Sequence, residues 1–331
     1  VPMCAGTSGA AALSPEGAQP CLGRPGAAAD VTATPHSTKL APGLALAVVG
    51  SIAFSGKAII VKLAYRHGVD AVTLLMYRML FALPFFAAMA WWAGLGKPAL
   101  TRRDALGVLW LGFTGYYLAS FLDFAGLQYI TASLERLILY LNPTLVLLLG
   151  WLMHGRRIRR PQTVAMAVSY SGVVLVFGHQ LSLDGTAVAW GALLVFLSTI
   201  SYALYMSYSG ELVHRLGALR LAGLATSVAC LLCIAQFALL RPLAAAEVAP
   251  AVLWLSLLNA TACTALPVLL VMMAIERIGP ALTAQTGMIG PMSTILMGVV
   301  ILGEPLNSWI VAGTVLVITG IYVFSRSARQ A

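Results

Sequence analysis

Five ionisable side chains lie inside long apolar stretches of this 331-residue chain. They are Lys57, Arg78, Asp123, Glu135 and Arg136. A charge near the centre of a membrane helix costs about 2.5 to 3.5 kcal/mol on insertion scales, so such residues are rare unless they pair or serve a site. Three of the five are basic and two are acidic. Full pairing therefore leaves one positive charge over, and an anion such as a carboxylate would balance it.

Two interpretations of these charges are open. In the first, Arg78 binds the carboxylate of a small molecule, Asp123 belongs to the same site, and Lys57, Glu135 and Arg136 form a charge network. In the second, Arg78 pairs with Asp123 or Glu135 to hold helices together, while Lys57 and Arg136 extend to the outer membrane interface. The two interpretations differ in which carboxylate lies beside Arg78.

Neutral polar and aromatic residues in the apolar stretches complete the candidate binding site. Tyr116, Ser120 and Asp123 are spaced i, i+4 and i+7, which places them on one helical face. The further candidates are Tyr77, Tyr140, Asn142, Tyr202, Tyr205, Asn259 and Gln285. Hydroxyls, amides and phenols of this kind suit a small polar or zwitterionic solute with an apolar or aromatic part. The alternative is that they form ordinary hydrogen bonds between helices.

The chain carries no recognisable catalytic, nucleotide-binding or metal motif. It has no H-E-x-x-H, no G-x-S-x-G and no G-x-x-x-x-G-K-[ST]. The histidines at or near the ends of the apolar stretches show no metal-binding spacing; they are His67, His154, His179 and His214. We therefore predict no enzymatic activity, no cofactor and no metal site, with an intramembrane enzyme as a remote alternative.

The composition identifies the elements that must position these residues. Hydrophobic residues make up 60% of the chain and charged residues only 9%, which is typical of a polytopic membrane protein. A membrane-spanning helix needs about 20 apolar residues. Ten such segments, called spans 1 to 10 below, lie at 43–64, 71–94, 105–127, 132–153, 161–178, 185–209, 219–240, 251–274, 281–302 and 307–325. We predict an all-α fold of ten transmembrane helices with short connections.

The distribution of basic residues predicts the orientation of these spans. The net charge is +9, and most Lys and Arg residues fall in alternate connections, such as Arg156 to Arg160, against Lys62, Arg66 and Arg241 on the other side. By the positive-inside rule the basic connections and both termini are cytoplasmic. Basic charge is then an orientation signal, and we predict no nucleic-acid partner. Residues 1–40, rich in Ala, Gly, Pro, Ser and Thr, are predicted to form a disordered cytoplasmic tail.

The chain also contains an internal repeat, because residues 127–176 align with residues 275–324 at a constant offset of 148. Pro143, Gly150, Gly155 and Gly172 thereby meet Pro291, Gly298, Gly303 and Gly320. The offset shifts the chain by five spans, and an odd shift inverts the topology. We predict two inverted five-helix repeats at 41–178 and 179–331, an arrangement typical of transporters. The matched Pro143 and Pro291 lie in mid-span and are expected to bend their helices and act as hinges.

Several short segments resemble the drug/metabolite transporter superfamily, EamA-type. They are Ala125-Gly-Leu-Gln-Tyr-Ile-Thr-Ala132, Leu141-Asn-Pro143, Gly155 and, in the second copy, Leu302-Gly-Glu-Pro-Leu306. The resemblance implies two five-helix repeats with cytoplasmic termini. Many such proteins export amino acids or other small metabolites, and the aromatic amino-acid exporters are the most similar in size and layout. One departure is that the Glu expected after Gly155 is Arg156, whereas the second copy keeps Glu304.

Together these features predict a secondary transporter of the cytoplasmic membrane that works by alternating access. Its expected partners are the lipid bilayer and a small-molecule substrate, most of all a neutral or aromatic amino acid. Drug-like cations and nucleotide sugars are the alternative solutes. We expect the protein to be a monomer.

Overall fold

The computed structural model describes residues 37–154, 160–286 and 289–329. Within these ranges the chain is almost entirely helical and contains no strand. The α-helices are α1 (Ser37–Tyr65), α2 (Ala71–Gly94), α3 (Arg102–Leu111), α4 (Ala119–Gly126), α5 (Ala132–Leu139), α6 (Asn142–His154), α7 (Arg160–Asp184), α8 (Thr186–Leu216), α9 (Ala218–Leu240), α10 (Pro250–Ala260), α11 (Leu266–Thr286), α12 (Ile289–Met297) and α13 (Ser308–Arg329). Three π-helical segments, π1 (Gly112–Leu118), π2 (Thr261–Ala265) and π3 (Gly298–Leu302), and a 3₁₀ turn (Leu243–Ala246) complete them.

The helices confirm an all-α membrane protein. Each predicted span falls on a helix. In the described part of the chain, eight helical stretches are long and apolar enough to cross a bilayer, and two shorter apolar helices, Met292–Leu302 and Ser308–Val323, lie in spans 9 and 10. Helices are the expected solution in lipid, because every backbone N–H and C=O must find its partner within the protein. A count of ten spans stays a prediction.

The helix α11 runs from Leu266 to Thr286 and so includes residues 275–280, which the sequence assigns to the connection between spans 8 and 9. The neighbours on α1 nevertheless show that the chain turns back in this region. Ile278 lies against Gly43, at the beginning of α1, whereas Gly290 accepts a hydrogen bond from Ser55 near the middle of α1. The chain therefore returns along α1 between Ile278 and Gly290.

Span 4 is broken rather than bent at its proline, which corrects the expectation of a kink within one helix. α5 ends at Leu139 and α6 begins at Asn142, so Pro143 lies in the first turn of a new helix. Proline is tolerated there because the N–H that it lacks has no partner within the helix in any case. In span 9 the matched Pro291 lies in the first turn of α12, which begins at Ile289.

The repeat is visible in the local structure of spans 3 and 8. At the offset of 148, π1 corresponds to residues 260–266, and π2 occupies 261–265 within that range. A π-helical segment pairs residues i and i+5 and adds a residue to the turn, and such segments are frequent at functional sites. Both repeats thus carry the same irregularity at the same position.

The packing of the spans also follows the repeat. Span 1 packs on span 8 (α1 on α11), and the corresponding spans of the other repeat, 6 and 3, also pack together (α8 on α4). In the same way, span 9 packs on span 1 (α12 on α1), and the corresponding span 4 packs on span 6 (α6 on α8). Spans 2 and 7 (α2 and α9) and spans 5 and 10 (α7 and α13) form pairs that a five-span shift leaves unchanged. In the last pair, Gly172 lies against the backbone of Gly313 and Gly320 against that of Ala165, the close approach that small residues permit.

Candidate functional site

Four of the buried charges form one ion cluster. Lys57 on α1 lies 2.5 Å from Asp123 on α4 and 3.4 Å from Glu135 on α5, and Arg136 lies 3.8 Å from Glu135. The Asp123 and Glu135 side chains are 3% and 0% exposed. Arg136 also donates to the Ser55 carbonyl at 3.5 Å. The prediction that Lys57 and Arg136 extend to the membrane interface is therefore wrong.

The ion cluster holds together three spans of the first half of the chain. Glu135 occupies the first turn of α5, which Thr131 begins by accepting a hydrogen bond from the Leu134 amide at 3.1 Å. Burying charge is costly unless the partners meet closely, whereas removing one partner leaves an uncompensated charge inside the protein. The two carboxylates share Lys57, so this residue is the centre of the cluster.

Arg78 on α2 lies outside the ion cluster. The residue is only 6% exposed, and its Nε and Nη2 atoms donate to the Thr264 hydroxyl at 3.3 and 3.1 Å. Its guanidinium carbon lies 5.2 Å from the ring centre of the buried Phe124. Among the described residues no carboxylate lies within 4.0 Å of Arg78, and Nη1 has no hydrogen-bond partner. The second interpretation, in which Arg78 pairs with Asp123 or Glu135, is therefore wrong, and the nearest cation to both carboxylates is Lys57.

The neighbour of Arg78 belongs to the π-helical segment π2. The Thr264 hydroxyl donates to the Asn259 carbonyl at 2.8 Å while it accepts from Arg78. Asn259 is 1% exposed, and its side-chain oxygen has no partner among the described residues. An unused donor on Arg78 and an unused acceptor on Asn259 are thus linked through one threonine, although the two residues belong to opposite halves of the chain.

The predicted tyrosines form a separate group. The Tyr116 and Tyr205 hydroxyls lie 3.3 Å apart with their rings edge to face, and Tyr202 stacks on Tyr205 at 5.5 Å. Their apolar neighbours include Leu111 and Leu216. Among the described contacts, these tyrosines bond and stack with one another, whereas Asp123 pairs with Lys57.

The expected common face of Tyr116, Ser120 and Asp123 is wrong, because π1 lies across it. Tyr116 falls within π1, and the extra residue in that turn changes the direction of everything that follows. Tyr116 consequently contacts α8, whereas Asp123 contacts Lys57 on α1. Ser120 is half-buried between them. In addition, Ser201 of α8 donates to the Thr114 carbonyl of π1 at 2.7 Å, which supports the alternative of an interhelical hydrogen bond for that serine.

A third group surrounds Gly290 of α12. Ser55 donates to the Gly290 carbonyl at 2.9 Å, and Thr294 donates to it at 3.2 Å. A Cβ at position 290 would lie 2.6 Å from the Tyr140 hydroxyl, so a larger residue there would require this side chain to shift. Asn142 follows at the beginning of α6, and its buried side-chain oxygen has no partner among the described residues. The break in span 4 thus lies against the first turn of α12 in span 9.

Two predicted residues are not brought to these groups. Tyr77 donates to the Ala246 carbonyl at 2.5 Å and stacks on Phe81, so its hydroxyl is used by the 3₁₀ turn after α9. Gln285 lies on α11, but its side chain is outside those that the structure describes, as is the side chain of Pro291.

Glu304 is a residue whose contact sequence reasoning missed. Its carboxylate accepts from the Ala132 amide at 2.7 Å, the Ser133 amide at 3.3 Å and the Ser133 hydroxyl at 2.7 Å. Gly303 before it has φ +73°, a left-handed conformation that favours glycine. The Gly-Glu-Pro motif therefore turns the chain after π3 and caps α5 of the other half. The motif was visible in the sequence, but its partner was not.

A pocket of about 650 Å³ opens beside Glu304. It lies between the α1–α2 connection, the α4–α5 connection and the Leu302–Glu304 segment. Its polar lining comprises Lys62, Tyr65, Arg66, Asp70, Gln128, Thr131 and Glu304. None of the predicted substrate-binding residues lines this pocket.

Comparison with known proteins identifies this architecture. The sequence profile of the EamA-like transporter family matches residues 41–178 and again residues 189–326. The chain is 31% identical to the uncharacterized transporter YcbK of Bacillus subtilis (strain 168) over 301 residues, covering 85% of this chain and 92% of that protein. It is 27% identical to the uncharacterized transporter YetK of the same organism over 297 residues, covering 86% of each. A solved crystal structure with 18% identity has the same fold, with a TM-score of 0.58 over 88% of this chain and 98% of the other.

Proposed function

Because the chain belongs to the EamA-like transporter family, of the drug/metabolite transporter superfamily, we propose that it carries small carboxylate-bearing metabolites by alternating access. Neutral and aromatic amino acids are the favoured solutes, and the cytoplasmic membrane is the favoured location. In this proposal ten spans form two inverted five-span repeats with both termini in the cytoplasm. The protein is then a transporter without a catalytic step of its own.

The observation that carries the proposal is the buried guanidinium of Arg78, which has an unused Nη1 and no carboxylate within 4.0 Å among the described residues. A buried guanidinium with an unused N–H is costly, and a solute carboxylate would supply the missing acceptor. The unused side-chain oxygen of Asn259 would accept from the ammonium group of an amino acid. This donor and this acceptor together match the carboxylate and ammonium groups of a zwitterion.

The symmetry of the fold supports alternating access. Transporters with inverted repeats open to one side or the other by rocking one part against another around a central site. Here the helix break at 140–141 lies against Gly290 of α12, and Arg78 with Thr264 joins the two halves. The ion cluster, by contrast, ties α1, α4 and α5 of the first half into one unit. A solute bound between Arg78 and Asn259 would contact both halves at once.

Transport assays in proteoliposomes test the proposal. The purified protein is reconstituted and offered radiolabelled amino acids, nucleotide sugars and cationic drugs, with and without a pH gradient. We expect uptake of one or more neutral amino acids above empty liposomes. Folded protein that moves only the cations or the nucleotide sugars would contradict the proposed solute, and folded protein that moves none would contradict the proposed function.

The role of Arg78 is tested by substitution in the same assay. Hydrogen bonds to charged groups contribute about 1.5 to 3 kcal/mol, so Arg78→Ala is expected to lower uptake by at least tenfold. Arg277→Ala is the matched control, because Arg277 is exposed on α11. Arg78→Lys keeps the charge without the planar guanidinium and should retain part of the activity. Each variant must elute from size exclusion as wild type does. Full uptake by Arg78→Ala would refute the assignment.

A further inference from the structure

The pocket beside Glu304 carries charge that no described contact neutralises. Four of its lining residues are ionisable: Lys62, Arg66, Asp70 and Glu304. Their formal charges cancel. The contacts of these residues are unequal, however. The two acids have close hydrogen-bond or ion-pair partners, whereas the two bases have almost none.

The two acids are fully occupied. Asp70 caps the beginning of α2 and lies 2.9 Å from Arg241. Burial raises the pKa of Asp70, but hydrogen bonds from Thr73 and the charge of Arg241 outweigh burial and hold it below its ordinary value. Glu304 accepts three hydrogen bonds at the beginning of α5, where the helix dipole also favours a negative charge. Both carboxylates therefore have close partners other than the basic residues of the pocket.

Lys62 lies in the last turn of α1, Arg66 directly follows the end of that helix, and both residues line the same pocket. The Lys62 ammonium has no hydrogen bond among the described residues, and the carboxylates that act on it, Glu304 and Glu135, lie beyond 4.0 Å. Arg66 donates to the Leu302 carbonyl at 2.7 Å and otherwise faces solvent. A pocket of about 650 Å³, in the size range of small-molecule sites, thus presents two cations and no free anion.

We propose that this pocket is a second carboxylate-binding site, in which Lys62 and Arg66 hold the anionic group of a small organic acid or amino acid. The site is distinct from Arg78. It rests on the proposed function only in that the same solute would occupy it on the way to or from the buried site.

The charge of the pocket is measured with a cysteine reporter in detergent, which makes orientation in a membrane irrelevant. Gln128 is an exposed lining residue, so Gln128→Cys is introduced after the five native cysteines are replaced by alanine. Its rates of reaction with an anionic and a cationic methanethiosulfonate reagent are compared. Lys62→Gln should lower the ratio of the anionic to the cationic rate by about tenfold at low salt, as expected for one unit charge within several Å of the reporter.

Lys97→Gln is the matched control, because it removes the same charge from a residue that contacts Leu216 at the other end of the bundle. Its rate ratio should equal that of wild type. An unchanged ratio in Lys62→Gln together with Arg66→Gln would overturn the proposal. The measurement needs no transport, so its outcome is separate from that of the flux assay.

The ligand class is tested by protection of the same reporter. Sodium benzoate should slow modification of Gln128→Cys, benzylamine should not, and Lys62→Gln should abolish the protection. Phosphatidylglycerol micelles are added in a parallel sample, because a lipid phosphate is also an anion. Protection by the lipid alone, or no protection by benzoate, would overturn the assignment of a carboxylate site.

Discussion

Glu304 offers the most local test of how the two halves of the protein hold each other. It stands after span 9, yet its carboxylate caps the first turn of α5 in span 4. The Ala132 and Ser133 amides have no acceptor within their own helix, because the first amides of any helix lack one. The Leu134 amide is held separately by the Thr131 hydroxyl. Glu304→Ala therefore removes the acceptor of two amides and leaves the third as an internal reference.

The magnitude follows from the geometry. Hydrogen bonds to a charged acceptor contribute about 1.5 to 3 kcal/mol, and a negative charge at a helix N-terminus adds about 0.3 to 1 kcal/mol. Glu304 is half-buried, so water replaces part of what is lost. We expect a net loss of about 2 kcal/mol in the closed contact, which corresponds to about thirtyfold in the opening equilibrium.

Hydrogen exchange followed by mass spectrometry measures this equilibrium at the amides themselves. In Glu304→Ala the Ala132 and Ser133 amides should exchange about thirtyfold faster than in wild type, whereas Leu134 should change less. Glu304→Gln, which keeps a neutral acceptor, should fall between them. Glu247→Ala is the control, because Glu247 is an exposed acid in the connection before α10. Equal exchange at Ala132 and Ser133 in wild type and Glu304→Ala would refute the reasoning.

Two further substitutions probe the ion cluster and the contact at Gly290. Lys57→Met leaves Asp123 and Glu135 buried without their shared cation and should cost about 3 to 5 kcal/mol of stability, measured as a lower melting temperature in detergent. The double variant Lys57→Met with Asp123→Leu should recover part of this loss. No recovery would contradict a shared ion pair. Gly290→Ala places a Cβ 2.6 Å from the Tyr140 hydroxyl and should cost about 1 to 3 kcal/mol of stability. Gly178→Ala on α7 is the control and should not destabilise the protein, because nothing lies within 4 Å of a Cβ there. Equal melting temperatures of the two alanine variants would contradict the close contact.

The sequence predicted the class of fold and the presence of buried charges inside the spans, because both depend on features that do not require a partner. Apolar length identifies membrane helices, and the cost of burying Lys57, Arg78 or Asp123 marks them as paired or functional wherever they lie. The offset of 148 likewise placed span 3 on span 8, and π1 and π2 confirm the correspondence at that position. These inferences needed only spacing and composition.

Partner choice could not be predicted, because it depends on the rotation of each helix about its axis. The rotation of span 3 changes at π1, an irregularity that no apolar pattern reveals. Asp123 consequently meets Lys57 rather than Arg78, and Tyr116 meets Tyr205. The cap that Glu304 forms on α5 joins residues 171 and 172 positions apart, and its donors are backbone amides, which are present at every residue and leave no signal in the sequence.

Competition for uptake by the acid and ester forms of one amino acid tests the central claim, that Arg78 recognises a carboxylate. Uptake of radiolabelled phenylalanine into proteoliposomes is measured with an excess of unlabelled phenylalanine or of its methyl ester, which keeps the ring and the amino group but lacks the carboxylate. We expect that phenylalanine competes, that the ester does not, and that Arg78→Ala abolishes specific uptake. Equal competition by the ester, with uptake retained in Arg78→Ala, would contradict it.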